Sequence, residues 1–526
     1  MRLPTEVLIR IFELLRDDCM RFDECRSLPV VFVLPKLFQW LAILEVCQHW
    51  NSVAKSCPTL WNQLLCDGRP GIALLPANVR KTYWEYFLRF SGDVPLRVSF
   101  HERGAREPNL DASPELTKAV ANVFSHAHRF QELRLGGAVD ADSLTIAAQR
   151  LTTLSVVDCL ITETIPTTKT LFGGDLSSLR SLCVRDVQLQ INPTRFLPSN
   201  YHRLRQIHLS GNLGGELTAE LVATLEHTPH LEDLMFSRMR IHPLKRHQQK
   251  RLLILPRLKR FALDQVESAN NILNFLGLPS GVFVSMHASL YHDNYILPTD
   301  RSRFADFQQM KKVKLQYPSQ GSYDGQLFAL SKSSALQAHL ELWWGRPLPS
   351  NVRNTLTDVE ELWIEGSYNS RPTKVPESRL WGRFKIPGLR RLVLDVDVGD
   401  YYSLWSCLEA FIPDAGEPVN CPSLEVLEIR IRSLEKAIIR QVWELLFIRM
   451  SRGCRVKKLR IGRFDKATPV NETTTSRRMA YAVKELAPLV DVLEFVDEET
   501  LPRMGPIPAC VTPSTGAWQW PSWKDM

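Results

Sequence analysis

Glycines, histidines, carboxylates and thiols are the groups in this 526-residue chain that can do chemistry, and their spacing decides which chemistry is open. A phosphate cradle needs glycines that let successive backbone N–H groups converge on an anion, followed by Lys-Ser/Thr. Gly211, Gly214 and Gly215 have the wrong spacing and fall in a turn between apolar runs. No His-Glu-x-x-His pair is present. Asp395, Asp397 and Asp400 start like a calcium loop, but its twelfth position is Ser406, where a bidentate Glu is required, so a solvated strand end is expected. His126 and His128 have no Cys or carboxylate neighbours at metal-ligand spacing. The expectation is a chain with no catalytic residue, no metal and no cofactor: a binding protein rather than an enzyme.

Bulk composition narrows the partners. Lys plus Arg outnumber Asp plus Glu by 65 to 57, and a net charge of +8 is too thin over this length to indicate a nucleic-acid ligand. His242, Lys245, Arg246, His247, Lys250 and Arg251 cluster between two apolar runs, where a solvated loop is expected in preference to a nuclear-import or anion-binding patch. Hydrophobic residues at 44% and charged residues at 23% match globular averages and exclude wholesale disorder. No run of about 18 uncharged apolar residues appears, so no membrane partner is expected. The eleven cysteines form no Cys-x-x-Cys pair, and Cys47, Cys159 and Cys183 sit in apolar stretches, which fits a reducing compartment, cytoplasmic or nuclear. Glu6 and Arg10 interrupt the first apolar stretch, so no export signal is read there.

The elements that would position a binding surface come next. Leu8, Ile11, Phe12 and Leu15 form one helical stripe, with Pro4 at an opening turn, and predict a helix over 4–15. An acidic stretch with Asp17, Asp18, Asp23 and Glu24 follows. A second stripe runs through Trp40, Ile43, Leu44, Cys47, Trp50 and Ala54 and stops before Pro58. Leu60, Trp61 and Leu64 form a short apolar element after it.

LPTEVLIRIFELL, then LEVCQHWNSVAKSCPTLWNQL, resembles the F-box in its Leu-Pro-x-Glu opening, Ile-Phe pair, Val-Cys-x-x-Trp core and closing Pro-x-Leu-Trp. The matching residues are Leu3, Pro4, Glu6, Leu8, Ile11, Phe12, Val46, Cys47, Trp50, Ala54, Pro58, Leu60 and Trp61. The resemblance implies a three-helix module that docks on the Skp adaptor of a cullin-RING ubiquitin ligase. Leu3, Pro4, Glu6, Leu8, Ile11, Phe12, Val46, Cys47, Trp50, Pro58, Leu60 and Trp61 are then its adaptor-binding candidates. Two departures stand out: only two residues precede Leu3, and the segment from about Arg16 to Leu41 is longer than the usual inter-helix loop.

From Phe130 an apolar-x-x-apolar-x-apolar pattern keeps returning, starting at 130, 151, 179, 204, 231, 258, 310, 359, 389, 424 and 456, with weaker copies near His339–Trp343 and Leu493–Val496. One alternating strand cannot bury its apolar face alone, whereas strands stacked in parallel can. The pattern resembles a degenerate leucine-rich repeat, with Cys159 and Asn212 where the consensus places a turn-bonding side chain and Val187, Met239 or Val266 elsewhere. The expected fold class is α/β: an F-box-like module over 1–66, a linking helix ending near Ser91-Gly92 and a first strand within 67–129, a parallel-sheet solenoid over 130–500, and a Pro/Trp-rich tail over 501–526.

Alternation sends one set of side chains outward along the strands: Glu132 and Arg134, Thr153 and Ser155, Ser181 and Arg185, Gln206 and His208, Asp233 and Met235, with Lys458 and Arg460 further on. Lys312, Lys314, Glu341, Trp343, Glu361, Trp363, Glu365 and Arg391 have the makeup of a protein-binding hot spot, with two tryptophans on neighbouring strands, exposed or covered by the loop Ser367–Lys385. The resemblance as a whole points to a substrate-receptor subunit whose module holds the adaptor and whose repeats hold a target protein. A ligase-independent interaction scaffold, its N-terminal helices capping the repeats, is the alternative.

Overall fold

The computed structural model describes residues 3–20, 40–67, 77–101, 114–139, 143–161, 171–185, 202–210, 217–239, 252–267, 269–273, 275–287, 310–316, 324–341, 358–367, 386–397, 408, 411–412, 419–431, 434–463 and 472–497. The chain is mixed α/β and divides into two compact units, Met1–Glu232 and Asp233–Met526. The division falls inside the stretch that periodicity alone reads as one repeat domain, 130–500. Among the described residues no helix is long and apolar enough to cross a membrane.

The first unit opens with helix α1, Thr5–Met20. The Leu8 N–H donates to the Pro4 carbonyl at 3.1 Å, so Pro4 sits at the start of the helix, where its missing N–H costs nothing. The helix runs past the expected end at Leu15 because Arg16 folds back, its guanidinium donating to the Thr59 carbonyl and to Asn62 Oδ1. The second stripe does not form one helix. Cys47 takes an extended backbone (φ −166°) and splits it into α2, Ile43–Val46, and α3, Gln48–Lys55. The Cys47 Sγ accepts the Trp50 N–H at 3.5 Å and so caps α3, a local gain that a single continuous helix would forgo.

The sheet of this unit begins earlier than the repeat pattern announces. Strand β1 is Gln63–Asp67, α4 is Ala77–Phe90, β2 is Leu96–His101 and α5 is Pro114–Ser125. Strands β3 (Phe130–Val139), β4 (Thr153–Ile161), β5 (Ser181–Arg185) and β6 (Gln206–Ser210) precede helix α6, Leu217–Glu226. All six strands pair in parallel and in chain order. The register aligns Leu64, Val98, Leu133, Leu154, Leu182 and Ile207 in one row, and every one of them is buried. At about 1.5–3 kcal/mol per buried side chain, such rows are what holds the strands together. The linking helix and the strand after Gly92 form as the sequence predicts, and β1 and β2 are full members of the sheet.

The second unit contains β7 (Asp233–Ser237), β8 (Leu253–Ile254), β9 (Arg260–Asp264), α7 (Asn270–Leu273), β10 (Leu276–Gly277) and β11 (Phe283–His287). It continues with β12 (Lys312–Gln316), β13 (Asp324–Leu330), β14 (Ala335–Glu341), β15 (Glu361–Ser367), β16 (Arg391–Asp397) and β17 (Val426–Ile431). Helix α8 (Lys436–Ser451), β18 (Lys458–Arg463), α9 (Glu472–Leu486) and β19 (Val492–Asp497) complete it. The spatial order is β7–β9–β11–β14–β13–β12–β15–β16–β17–β18–β19, with β13 antiparallel to both neighbours and β8 paired with β10 apart.

The repeat pattern marks strand starts with a fixed offset. Leu151, Leu179, Leu204, Leu231, Leu258, Met310, Val359, Leu389, Leu424 and Val456 each lie two residues before a strand, and each is buried. In six of these turns the N–H of the anchor (151, 179, 231, 258, 389 or 424) donates to the carbonyl three residues back at 2.9–3.2 Å. In the larger sheet of the second unit two strands escaped the pattern. β11 is buried on both faces, so Phe283, Val284, Ser285 and Met286 show no alternation, and β13 belongs to a hairpin closed by Ser331 and Ser334. The copy sensed near His339–Trp343 is strand β14, which starts at Ala335.

Candidate docking surfaces

The residues matched at the N-terminus separate by burial. Leu8, Phe12, Ala54, Leu60 and Trp61 are enclosed, and Phe12 packs on half-buried Trp50 at 5.2 Å between ring centroids. The Trp61 Nε1 donates to the Ala54 carbonyl at 2.8 Å, closing the turn at Pro58 onto α3. Trp61 also meets Trp40 at 5.5 Å and Phe87 of α4 at 5.1 Å. Leu8, Phe12, Leu60 and Trp61 are therefore core side chains that build the module, and a partner cannot touch them while it stays folded. Ile11 is half-buried.

The other matched residues face solvent. Leu3 is 49% exposed and Val46 57%, and Pro4, Glu6, Cys47 and Pro58 are exposed as well. The helical stripe pointed to the core face of α1 and passed over its outer apolar residues. Val7 and Leu14, seven apart and so on one face, are exposed, as is Leu15, which the stripe had assigned to the core. Helix α1 thus carries apolar side chains on two sides, and its own module needs only one of them.

In the second unit the outward alternates of β12, β15, β16, β17, β18 and β19 align across the strands. One row reads Lys312, Glu361, Arg391, Val426 and Lys458, and the next reads Lys314, Trp363, Val393, Glu428, Arg460 and Glu494. Lys312 pairs with Glu361 at 3.4 Å, Lys314 with Glu365, and Arg391 bridges Glu361 at 3.4 Å and Glu428 at 2.9 Å. Arg430 joins Glu428 and Asp395, and Glu494 takes both Lys458 and Arg460. The lysine pairs are therefore neutralised by carboxylates on the next strand. Asp395, expected at a solvated strand end, is substantially buried, and that burial raises its pKa against the opposing pull of Arg430.

Trp363 is only 5% exposed, and two cations lie against its ring. The Arg391 and Arg430 guanidinium carbons lie 5.5 and 5.0 Å from its ring centre, and its Nε1 donates to Glu361 at 2.7 Å. β14 is separated from β15 by β13 and β12, so the two tryptophan-bearing segments are not on neighbouring strands. Trp343, the Glu341 side chain, the loop after Ser367, the cluster His242–Arg251, Gly211–Gly215, Asn212, Asp400 and the tail 501–526 lie outside the described residues, as does the Cys159 side chain.

Toward the middle of the chain the outward positions are not a surface at all. Ser181, Gln206 and His208 in the first unit are buried, as are Asp233, Met235 and Arg260 in the second. Strands stand about 4.8 Å apart, so polar side chains at equal register cover one another. The Ser181 hydroxyl donates to Gln206 Oε1 at 2.8 Å, Cys183 Sγ lies 3.5 Å from His208 Nδ1, and Arg260 pairs with Asp233. His126 and His128 stand 6.2 Å apart, and burial, then Arg129, then His128 lower the His126 pKa. Among the described residues no group of three or more potential ligands could hold a metal ion.

The chain matches no family model and no curated protein.

Proposed function

We propose that the chain is the substrate-recognition subunit of a Skp-cullin-F-box-type ubiquitin ligase, its N-terminal module docking on the adaptor and its repeat-like sheets presenting a target protein. One observation carries the reading: the module's core closes with Leu8, Phe12, Leu60 and Trp61, while Leu3, Pro4, Val7, Leu14 and Val46 stay exposed. Isolated exposed hydrophobics are ordinary, but apolar residues on the outer side of a short helix whose inner side is already packed fit a partner of apolar, groove-like character. On this reading the target face is the charged rows of β12 and β15–β19, and ligation proceeds by proximity to a recruited conjugating enzyme.

A purified Skp-type adaptor captured by the full chain tests the proposal. Leu3→Ala/Pro4→Ala and Val7→Lys/Leu14→Lys are expected to abolish capture without changing the circular dichroism spectrum; equal recovery from wild type and both variants would falsify it. A ligase-independent scaffold is the second reading, favoured by the Trp40–Trp61–Phe87 cluster that fastens the module to α4. Deleting residues 1–66 cannot separate the two readings, because the deletion removes most of β1 and the Trp61 contacts in either case. Only surface substitutions discriminate.

A further inference from the structure

Helix α8 presents two different sides. Its inner side buries Ile438, Val442, Leu445 and Arg449. Its outer side carries Lys436, Arg440, Glu444 and Phe447, all exposed, and half-buried Trp443 stacks on Phe447 with 4.8 Å between ring centroids and 10° between planes. Phe447 keeps 43% of its surface open despite that stacking. Lys436, Arg440, Trp443 and Phe447 follow one another at spacings of four, three and four residues, so they form a single stripe along about 17 Å of helix. The stripe is polarised, with its cations in the first half and its rings in the second. Its spacing also reads the same from either end, which is the requirement for a face that packs on a reversed copy of itself.

We propose that this stripe is the interface between two copies of the chain, their α8 helices packed antiparallel about a two-fold axis. Reversing one helix on the other sets Lys436 opposite the partner's Phe447 and Arg440 opposite the partner's Trp443, so every cation meets a ring. In the same register Glu444 falls beside the partner's Arg440 on one flank of the pair, and the axis repeats that ion pair. Each guanidinium is then held between an indole and a carboxylate. Within its own helix Arg440 precedes Glu444 by four residues, the weaker order for an intrahelical ion pair. A parallel pairing would set Lys436 on Lys436 and Arg440 on Arg440, and like charges forbid it. Lys436 already makes this kind of contact inside the chain, its Nζ lying 5.6 Å from the centre of the Tyr481 ring on α9. Any other occupant has to supply rings for the cations and cations for the rings; a second copy carries both at matching spacing. Arg and Trp are also the residue types that dominate binding energy at protein interfaces.

Sedimentation velocity on the full-length chain tests this, independently of adaptor binding. Wild type is expected to pass from monomer to dimer as its concentration rises. Phe447→Lys is expected to weaken the dimer by about tenfold or more, with an unchanged circular dichroism spectrum. Arg440→Glu and Glu444→Arg each bring like charges together across the axis and are expected to weaken it as well. The double reversal Arg440→Glu/Glu444→Arg rebuilds the ion pair and is expected to dimerise more tightly than either single variant. This charge series decides the matter even if Phe447→Lys disturbs the fold. A wild type that stays monomeric throughout overturns the proposal and leaves the stripe to a different partner. A dimer unmoved by these substitutions, or a double reversal no tighter than the single ones, overturns it too.

Discussion

At the scale of single residues, the buried charges decide most. Glu428 is 0% exposed and is tolerated only because Arg391 and Arg430 approach it from either side. Removing one partner from a buried ionic group leaves the other charges uncompensated, typically at 3–5 kcal/mol. Glu428→Ala is therefore expected to lower unfolding stability by about that amount in urea titrations and to loosen Trp363, with an increase in its solvent quenching. Cys421 shows the opposite case. Burial pushes its thiol from 9.0 up to about 11, against weaker opposing pulls from the Ile386 N–H and Arg449. The unfolded chain releases this proton near 9 and the folded chain holds it until about 11, so the site favours folding fully below pH 9 and loses its contribution, roughly 3 kcal/mol, as pH climbs to 11. Cys421→Ala is expected to flatten the fall of Tm between pH 9 and 11. In wild type at pH 8, alkylation followed by mass spectrometry is expected to label exposed Cys47 and spare Cys421, Cys183 and Cys57.

At the scale of elements, α1 is the informative case, because the same helix builds a core and offers a surface. Phe12→Ala removes a fully buried ring and is expected to cost about 3–5 kcal/mol, whereas Leu3→Ala or Val46→Ala is expected to stay within about 0.5 kcal/mol. Parallel urea midpoints decide between these outcomes; a large loss for Leu3→Ala would show that Leu3 packs on its own chain. Period-3.6 reasoning found the stripe Leu8, Ile11 and Phe12 because burial selects for it. It placed Leu15 in that stripe and passed over Val7 and Leu14, since nothing in a single sequence distinguishes an apolar residue kept for a partner from one at the surface by chance. The break at Cys47 was likewise illegible, because it depends on a thiol meeting the Trp50 N–H rather than on propensity.

At the scale of the whole chain, a strand inside a sheet is held by the two strands beside it, so damage should spread only locally. Leu182→Ala in β5 is expected to speed amide exchange in β4, β5 and β6 and to leave β1 and β2 near their wild-type rates, as read by hydrogen-exchange mass spectrometry. Uniform acceleration across all six strands would mean that the unit unfolds as one. The sequence by itself determined where ten of the rungs begin: an apolar anchor closes the turn two residues before each of those strands, and that local need leaves a pattern. Tertiary structure alone decided which strands lie side by side, because the β12–β13–β14 meander reverses the spatial order without altering the local alternation. It also decided which outward residues meet solvent. Exposure depends on what stands one strand spacing away, and that neighbour comes from dozens of residues further along the chain.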